Sequence, residues 1–300
     1  LIARRHLLPA AGVIAASCAP IPPSAPLPPP AQALAPAPVR SPAPPLRRGF
    51  AFQGQLVQGG LAIGTAPAGT ASVSLDGKAL PLTADGRFLI AFGRDHGPAA
   101  TVEARFADGS TAREPIRIAP RQWDIQSLPT LARGTTPTPA FLARRKIELA
   151  QIGAARARNA ASDGWQQRFQ WPVTGRISGV FGSQRIYAGE PGAPHSGVDV
   201  ARPEGTPIVA PADGVVILAA ASPFTLEGNL LMVDHGMGLN SAFLHLSRID
   251  VKAGDVVRRG QPIGAIGKTG RATGPHLHWA MKWRDERIDP QLVAGPMPAS

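Results

Sequence analysis

Hydrophobic and polar positions alternate in short runs over much of the chain. SVSLDGKALPL, GRFLIAF and ATVEARFADGS, between about Arg48 and Pro120, have the period-two texture of strands. Asp76-Gly77, Asp85-Gly86 and Asp108-Gly109 punctuate them, each a hairpin signal. The pattern predicts a small β-sandwich over residues 48–120. The period then changes. Thr138 before Pro139 is a helix start, Leu142, Leu149 and Ile152 recur near helical spacing, and Gly164 is the expected stop. A helix is predicted to about Ala161, inside a linker of residues 121–170, with Lys146 and the arginines mostly on its other faces. Such a helix either lies on its neighbour or rests on a membrane surface through its basic side. From Trp171 to about Gly295 strand-like runs and glycine turns return, marking a second β domain at 171–295. The fold class expected is mainly β: an N-terminal small β-sandwich, a linker helix and a C-terminal β domain.

Ahead of the first strands, residues 1–17 combine a basic start (Arg4, Arg5) with an apolar stretch from Leu7 to Ala16, too short to span a bilayer. Ala15-Ala16-Ser17-Cys18 resembles the lipobox of bacterial lipoprotein signals, after which Cys18 would be lipidated and become the mature N-terminus. The other reading is a secretory signal cleaved after Ala31-Gln32-Ala33. Both predict export to the cell envelope or periplasm, the first with membrane attachment through Cys18. Residues 18–47 are mostly proline and alanine, with 12 prolines, and read as an extended tether.

Composition narrows the functional classes. The 300 residues include 33 Pro and 33 Gly, which favours turns over helical bundles. A net charge of +11 points to an anionic polymer as partner: nucleic acid, a membrane surface or an acidic wall matrix. The positive residues are scattered, with no long basic run and no aromatic-basic platform, so no nucleic-acid partner is expected. Cys18 is the one cysteine, which excludes an intramolecular disulfide and a cysteine-based zinc cluster.

The candidate chemistry is carried by histidines in the second β domain. In GRATGPHLHWAMKW, a strand would place His276 and His278 on one face and Leu277 on the other, like half of a metal site. In PHSGVDV, His195 and Asp199 share a strand face with Gly197 leaving room between them. Imidazole nitrogens with one carboxylate suit zinc and leave a position open for water. LLMVDHGMGLNSAFLHLSRI reads as a hairpin turning through Gly236 and Gly238, with Phe243 and His245 on one face of the returning strand. His235 begins that turn and is expected to hydrogen-bond locally, while His96 reads as a surface loop residue of the first module.

His195-x-x-x-Asp199, the isolated His245 in FLHLS and the TGPHLHW segment, in this order, resemble the three motifs of the lysostaphin or LytM-type zinc endopeptidases, metallopeptidase family 23. The similarity extends over about residues 171–290 through FGSQR, GTPIVAPADGVV, VDHGMG, GDVVRRGQPIG and IDP. It implies an antiparallel β-sheet metallopeptidase domain with a substrate groove between loops. It further implies Zn2+ held by His195, Asp199 and His278, with His245 and His276 as catalytic non-ligands. The implied substrate is the peptide cross-link of bacterial peptidoglycan, attacked by water with the two histidines assisting; no HExxH glutamate is present to act as base. Many relatives have tyrosine where this chain has Phe243, and a phenol there would be placed to hydrogen-bond substrate. Two rivals are weaker. A non-catalytic wall-binding activator would typically lack metal ligands that are all present here. A biotin carrier would place its lysine before the GDVVRRGQPI hairpin, whereas Lys282 follows it.

Overall fold

Seven short strands come first: β1 (Ala51–Gly54), β2 (Leu61–Thr65), β3 (Thr70–Leu75), β4 (Lys78–Leu80), β5 (Arg87–Ala91), β6 (Ala99–Phe106) and β7 (Thr111–Arg117). They form two antiparallel sheets, ordered β1-β2-β5 and β4-β3-β6-β7, in a computed structural model that describes residues 49–132 and 137–298. Residues 1–47, with the expected signal, Cys18 and the tether, lie outside the described residues. Packing explains a glycine in mid-strand: the Phe88 ring lies where a Cβ on Gly64 would be. Phe50 and Phe52 meet that ring edge-on at 6.1 and 6.3 Å. Asp76-Gly77 and Asp108-Gly109 turn β3 into β4 and β6 into β7. Asp85-Gly86 does not make a hairpin, because β5 pairs with β2 and the chain changes sheets there.

The linker holds more structure than its sequence promised. β8 (Ile125–Leu128) pairs in parallel with β10 (Gln184–Tyr187) of the second domain, and β10 is flanked by β11 (Glu190–Pro191). Helix α1 runs from Pro139 to Arg156, with the Thr138 hydroxyl accepting from the Phe141 N–H at 3.2 Å. It ends before Ala161, on Ala157, and Gly164 instead opens a single 3-10 turn, where a Cβ would strike the Asp213 carbonyl. Its buried face also differs from expectation. Ile152, Ala155 and Glu148 are buried, whereas Leu142 and Leu149 are 54% and 52% exposed. Glu148 tolerates burial because Arg144, Arg145, the Thr225 N–H and the Thr225 hydroxyl all donate to it.

The second domain is built on one twisted antiparallel sheet. Its strands are β9 (Arg176–Gly179), β12 (Val198–Ala201), β14 (Gly214–Ala219), β15 (Asn229–Asp234), β16 (Leu239–Leu246), β18 (Val256–Val257), β20 (His276–Trp283) and β21 (Glu286–Ile288). They are ordered β18-β14-β15-β16-β20-β12-β9, with β21 beside β20. A small sheet of β13 (Pro207–Val209), β17 (Arg248–Ile249) and β19 (Pro262–Ala265) stands apart from it. A short helix α2 (Pro290–Ala294) is the last element among the described residues, capped by the Asp289 carboxylate. Asp289 also pairs with Arg121 at 2.9 Å, and its N–H donates to the Gly59 carbonyl, which ties the first module to the second.

The sheet's two faces do different work. Leu277, Trp279, Met281 and Trp283 of β20 join Val198, Val200, Phe243 and Leu231 in the main apolar core. The opposite face carries His276 and His278 at one end. At the other, Ala242, Leu230 and Met232 pack against Ile152 and Ala155 of α1. The mainly β, antiparallel character expected from the alternating pattern is what the chain adopts.

Candidate metal centre

Strand register brings the acid and the imidazole together. β12 and β20 are antiparallel neighbours with Asp199 directly opposite His278, so their side chains leave the sheet side by side. His195 is not on that strand; it lies in the preceding loop, fixed by its N–H to the Ser183 carbonyl and its carbonyl to the Gly182 N–H. Gly197 makes room for the backbone of β20 rather than for the site, since a Cβ there would strike the Trp279 carbonyl.

The three donor atoms converge. His195 Nε2 is 3.1 Å from Asp199 Oδ1 and 3.1 Å from His278 Nδ1, and His278 Nδ1 is 2.8 Å from Asp199 Oδ1. A tetrahedral zinc with bonds of about 2.0–2.2 Å separates its donors by about 3.4 Å, so this set fits the ion with a small outward adjustment. His195 Nδ1 lies 3.1 Å from the Val180 carbonyl, which can only accept. Nδ1 therefore carries the hydrogen and Nε2 keeps its lone pair for a metal, an arrangement common behind metal-bound histidines. Burial opposes charge on His195, but the adjacent Asp199 carboxylate outweighs it and raises the pKa. Burial likewise disfavours the Asp199 anion, yet the His195 and His278 hydrogen bonds prevail and hold it well below the usual carboxylate range. His278 is shifted down by its burial. The centre therefore presents an anionic carboxylate between two imidazoles.

His245 reaches the site through a local irregularity. β15 and β16 are in register from Asp234↔Asn240 to Leu231↔Phe243, but Asn229 then faces Leu246, so β16 has one extra residue. His245 sits in this bulge with φ +63°, a left-handed conformation costly for a non-glycine residue. Regular alternation would have sent it into the core with Phe243, which is fully buried opposite Trp279. Phe243 and His245 thus do not share a face, and a phenol at position 243 would enter the core, not the groove. The bulge turns the His245 ring to the site, 4.9 Å from the His276 ring and 6.2 Å from the His278 ring between centroids. Its N–H donates to the Glu227 carbonyl at 2.8 Å, which holds the bulge open.

The two histidines beside the cluster, His245 and His276, each have a fixed tautomer. His245 Nδ1 donates to the Thr269 carbonyl at 2.8 Å, and His276 Nδ1 donates to the Gly274 carbonyl at 2.8 Å. Each neutral ring then has its lone pair on Nε2. His276 Nε2 lies 3.9 Å from Asp199 Oδ1. Burial is the main cause that pushes the His245 pKa down to about 4, with smaller help from His276 and His278, so the ring is neutral at pH 7.

His235 is not part of this cluster. It is fully buried at the turn end of the hairpin, bonded to the Asp213 carbonyl and the Ser241 hydroxyl. His96, in the loop 93–97 of the first module, lines a cavity of about 410 Å³ together with His195, Arg94 and Phe181. Its position beside the centre had no signal in the sequence, because the approach is made by Arg94, whose guanidinium donates to the Gly182 carbonyl at 2.8 Å.

Zinc-type donors from two neighbouring antiparallel strands and the loop before one of them, with two histidines of fixed tautomer beside them, suit a metallopeptidase-like centre. The model of peptidase family M23 matches residues 193–290, which contain His195, Asp199, His245, His276 and His278. A crystal structure from Pseudomonas aeruginosa assigned to peptidase M23 superposes with a TM-score of 0.62 at 32% identity, covering 80% of this chain and 96% of that one. The chain belongs to peptidase family M23. Among curated relatives, peptidoglycan DD-endopeptidase ShyA of Vibrio cholerae is 41% identical over 142 residues, 46% of this chain and 33% of that protein. The cell division protein DipM of Caulobacter vibrioides is 31% identical over 200 residues, 65% of this chain and 31% of DipM. The matches thus span about a third of the length of these relatives.

Proposed function

We propose that the chain is a zinc-dependent endopeptidase that hydrolyses the peptide cross-links of bacterial peptidoglycan. The observation that carries this reading is the convergence of His195 Nε2, Asp199 Oδ1 and His278 Nδ1 within 3.1 Å, with His245 and His276 beside them. Names of relatives such as peptidoglycan DD-endopeptidase ShyA support the substrate class. Zinc held by His195, Asp199 and His278 would supply Lewis acidity to polarise the scissile carbonyl and to acidify a water molecule.

The remaining chemistry falls to the chain's own imidazoles. His245, neutral at pH 7, takes a proton from the attacking water at Nε2 while Thr269 fixes the ring through Nδ1. The same burial that keeps the ring neutral makes its protonated form a ready acid, which favours delivery of that proton to the leaving amine. As the peptide C–N bond breaks and a C–O bond forms, the water's proton ends on the new amino group. His276, held by the Gly274 carbonyl, directs its Nε2 lone pair to the same space, where it accepts a hydrogen bond from the attacking water or a substrate N–H. An envelope location belongs to the proposal, resting on the sequence of residues 1–47, and mass spectrometry of the mature N-terminus distinguishes a lipidated Cys18 from cleavage after Ala33.

The direct test is digestion of purified cross-linked muropeptides by the zinc-loaded protein, with products identified by mass spectrometry. Conversion of dimers to monomers is expected; intact dimers after prolonged incubation overturn the reading.

A further inference from the structure

Between α1 and the sheet lies a cavity of about 120 Å³ that opens beside the metal centre, where a single water needs only about 10–15 Å³. Its lining is strongly basic. Arg145, Arg156, Lys282 and Arg287 face it, against one carboxylate, Glu227. That carboxylate is already engaged by Arg145 through two bonds of 2.6 Å, and Arg145 also donates to Glu148. Two acids lie near Lys282: Asp285 at 3.9 Å, which is fully exposed and so screens little, and Glu286 on the paired strand. Arg156 and Arg287 form no ion pair among the described residues, and the lining holds four cations against one carboxylate. Lys282 and Arg156 are each shifted down, first by burial and then by the neighbouring cations.

Two residues of the lining also carry unmet hydrogen-bonding groups. Arg156 Nε and His278 Nε2 are two of three buried side-chain atoms without a partner among the described residues, and both residues line this cavity. Arg156 Nε is obligatorily a donor. His278 Nε2 becomes one when Nδ1 is given to a metal, since the neutral ring then has its hydrogen on Nε2. Two orphaned donors on residues of the lining and an excess of cations around it suit an anionic ligand, since leaving such groups unpaired is costly. A planar carboxylate suits the guanidinium fork.

We propose that this cavity is a carboxylate-binding subsite, which takes a C-terminal or side-chain carboxylate of the peptide substrate and so sets which stem peptides are aligned at the metal. The inference rests on the peptidase reading for the identity of the ligand, but not for the existence of an anion site. Helix α1 is then part of the substrate-binding surface, supplying Arg156, while Lys282 and Arg287 come from β20 and β21.

The test is isothermal titration calorimetry of the zinc-loaded protein with an uncross-linked stem tetrapeptide, carboxylates free, and with the same peptide fully amidated. The free acid should bind about tenfold more tightly or better, as expected for losing one charge-assisted contact. Arg156→Met, Lys282→Met and Arg287→Met should each narrow the gap between acid and amide while zinc content stays unchanged. Arg287 is exposed, so its variant has little reason to misfold. Peptides amidated only at the C-terminus or only on the side chain identify which carboxylate is bound. Equal binding of acid and amide by the parent protein, or a gap undiminished in all three variants, overturns the proposal. The outcome is separable from the peptidase test: discrimination without dimer cleavage keeps the anion site and removes the activity, and cleavage without discrimination does the reverse.

Discussion

The two ends of the hairpin β15–β16 each bury a histidine with its pKa pushed down to about 4, but the fold satisfies their ring nitrogens differently. At the turn end, His235 closes a complete network. Trp279 Nε1 donates to the Ser241 hydroxyl at 3.2 Å, that hydroxyl meets His235 Nε2 at 2.9 Å, and His235 Nδ1 donates to the Asp213 carbonyl at 2.8 Å. At the bulge end, His245 has Nδ1 satisfied by Thr269 while its ring faces two other imidazoles. Depth of burial and direction of the pKa shift therefore do not separate a histidine enclosed in a hydrogen-bond network from one facing the candidate site. What separates them is whether the second ring nitrogen is already satisfied by the fold.

The sharpest way to break this contrast is at the bulge end. Asp199→Ala should reduce bound zinc, measured by mass spectrometry of the metal, to near zero and abolish muropeptide cleavage, because the carboxylate supplies the only anionic donor of the set. Full zinc occupancy in that variant would show that Asp199 is not a ligand. His245→Ala should keep its zinc and lose about 10²–10⁴-fold in turnover. If that variant loses metal instead, His245 belongs to the ligand set and the division of roles is wrong.

The turn end predicts a pH effect on stability. The folded His235 pKa of about 4 lies below the unfolded value of about 6.5, so the unfolded chain binds a proton that the fold refuses. Its contribution is intact above pH 6.5 and is lost progressively as pH falls to about 4, with a total of about 3 kcal/mol. Urea unfolding of the metal-free protein at several pH values in that window measures it. His235→Gln should flatten the slope and cost about 1–3 kcal/mol at pH 7 through the unsatisfied Asp213 carbonyl or Ser241 hydroxyl, with turnover below the melting temperature unchanged. A large loss of turnover in a folded His235→Gln protein would end the distinction between the two histidines.

Much of the site can be read along the chain because it obeys period-two alternation. His276 and His278 do share a face of β20, and continuing the count reaches Lys282, a member of the basic cavity. The pairing of Asp199 with His278 is a cross-strand register, which no local pattern encodes. His245 is misplaced by alternation because a bulge and a positive φ at a non-glycine residue leave no mark in composition. The start of α1 is written in Thr138-Pro139, but its buried face is not. Leu142 and Leu149 stay exposed while Glu148 is buried, since its partners Thr225 and Arg145 are fixed only by tertiary structure. Arg156, Lys282 and Arg287 come from separate elements, so their convergence has no local signal either.

The smallest expected effect concerns the residue two positions before His245. If the bulge, and not the alternating strand, sets the direction of the histidine, then Phe243 and His245 are independent even though they are neighbours. Phe243→Tyr would place a hydroxyl in the core opposite Trp279, costing about 1 kcal/mol unless it finds a partner there. It should leave the ratio of cleavage rates among different muropeptide dimers unchanged, because the new hydroxyl cannot reach the groove. A shift in that ratio would mean that β16 can slip its register and present position 243 to substrate. The bulge would then be a mobile element rather than the fixed device that turns His245 to the metal.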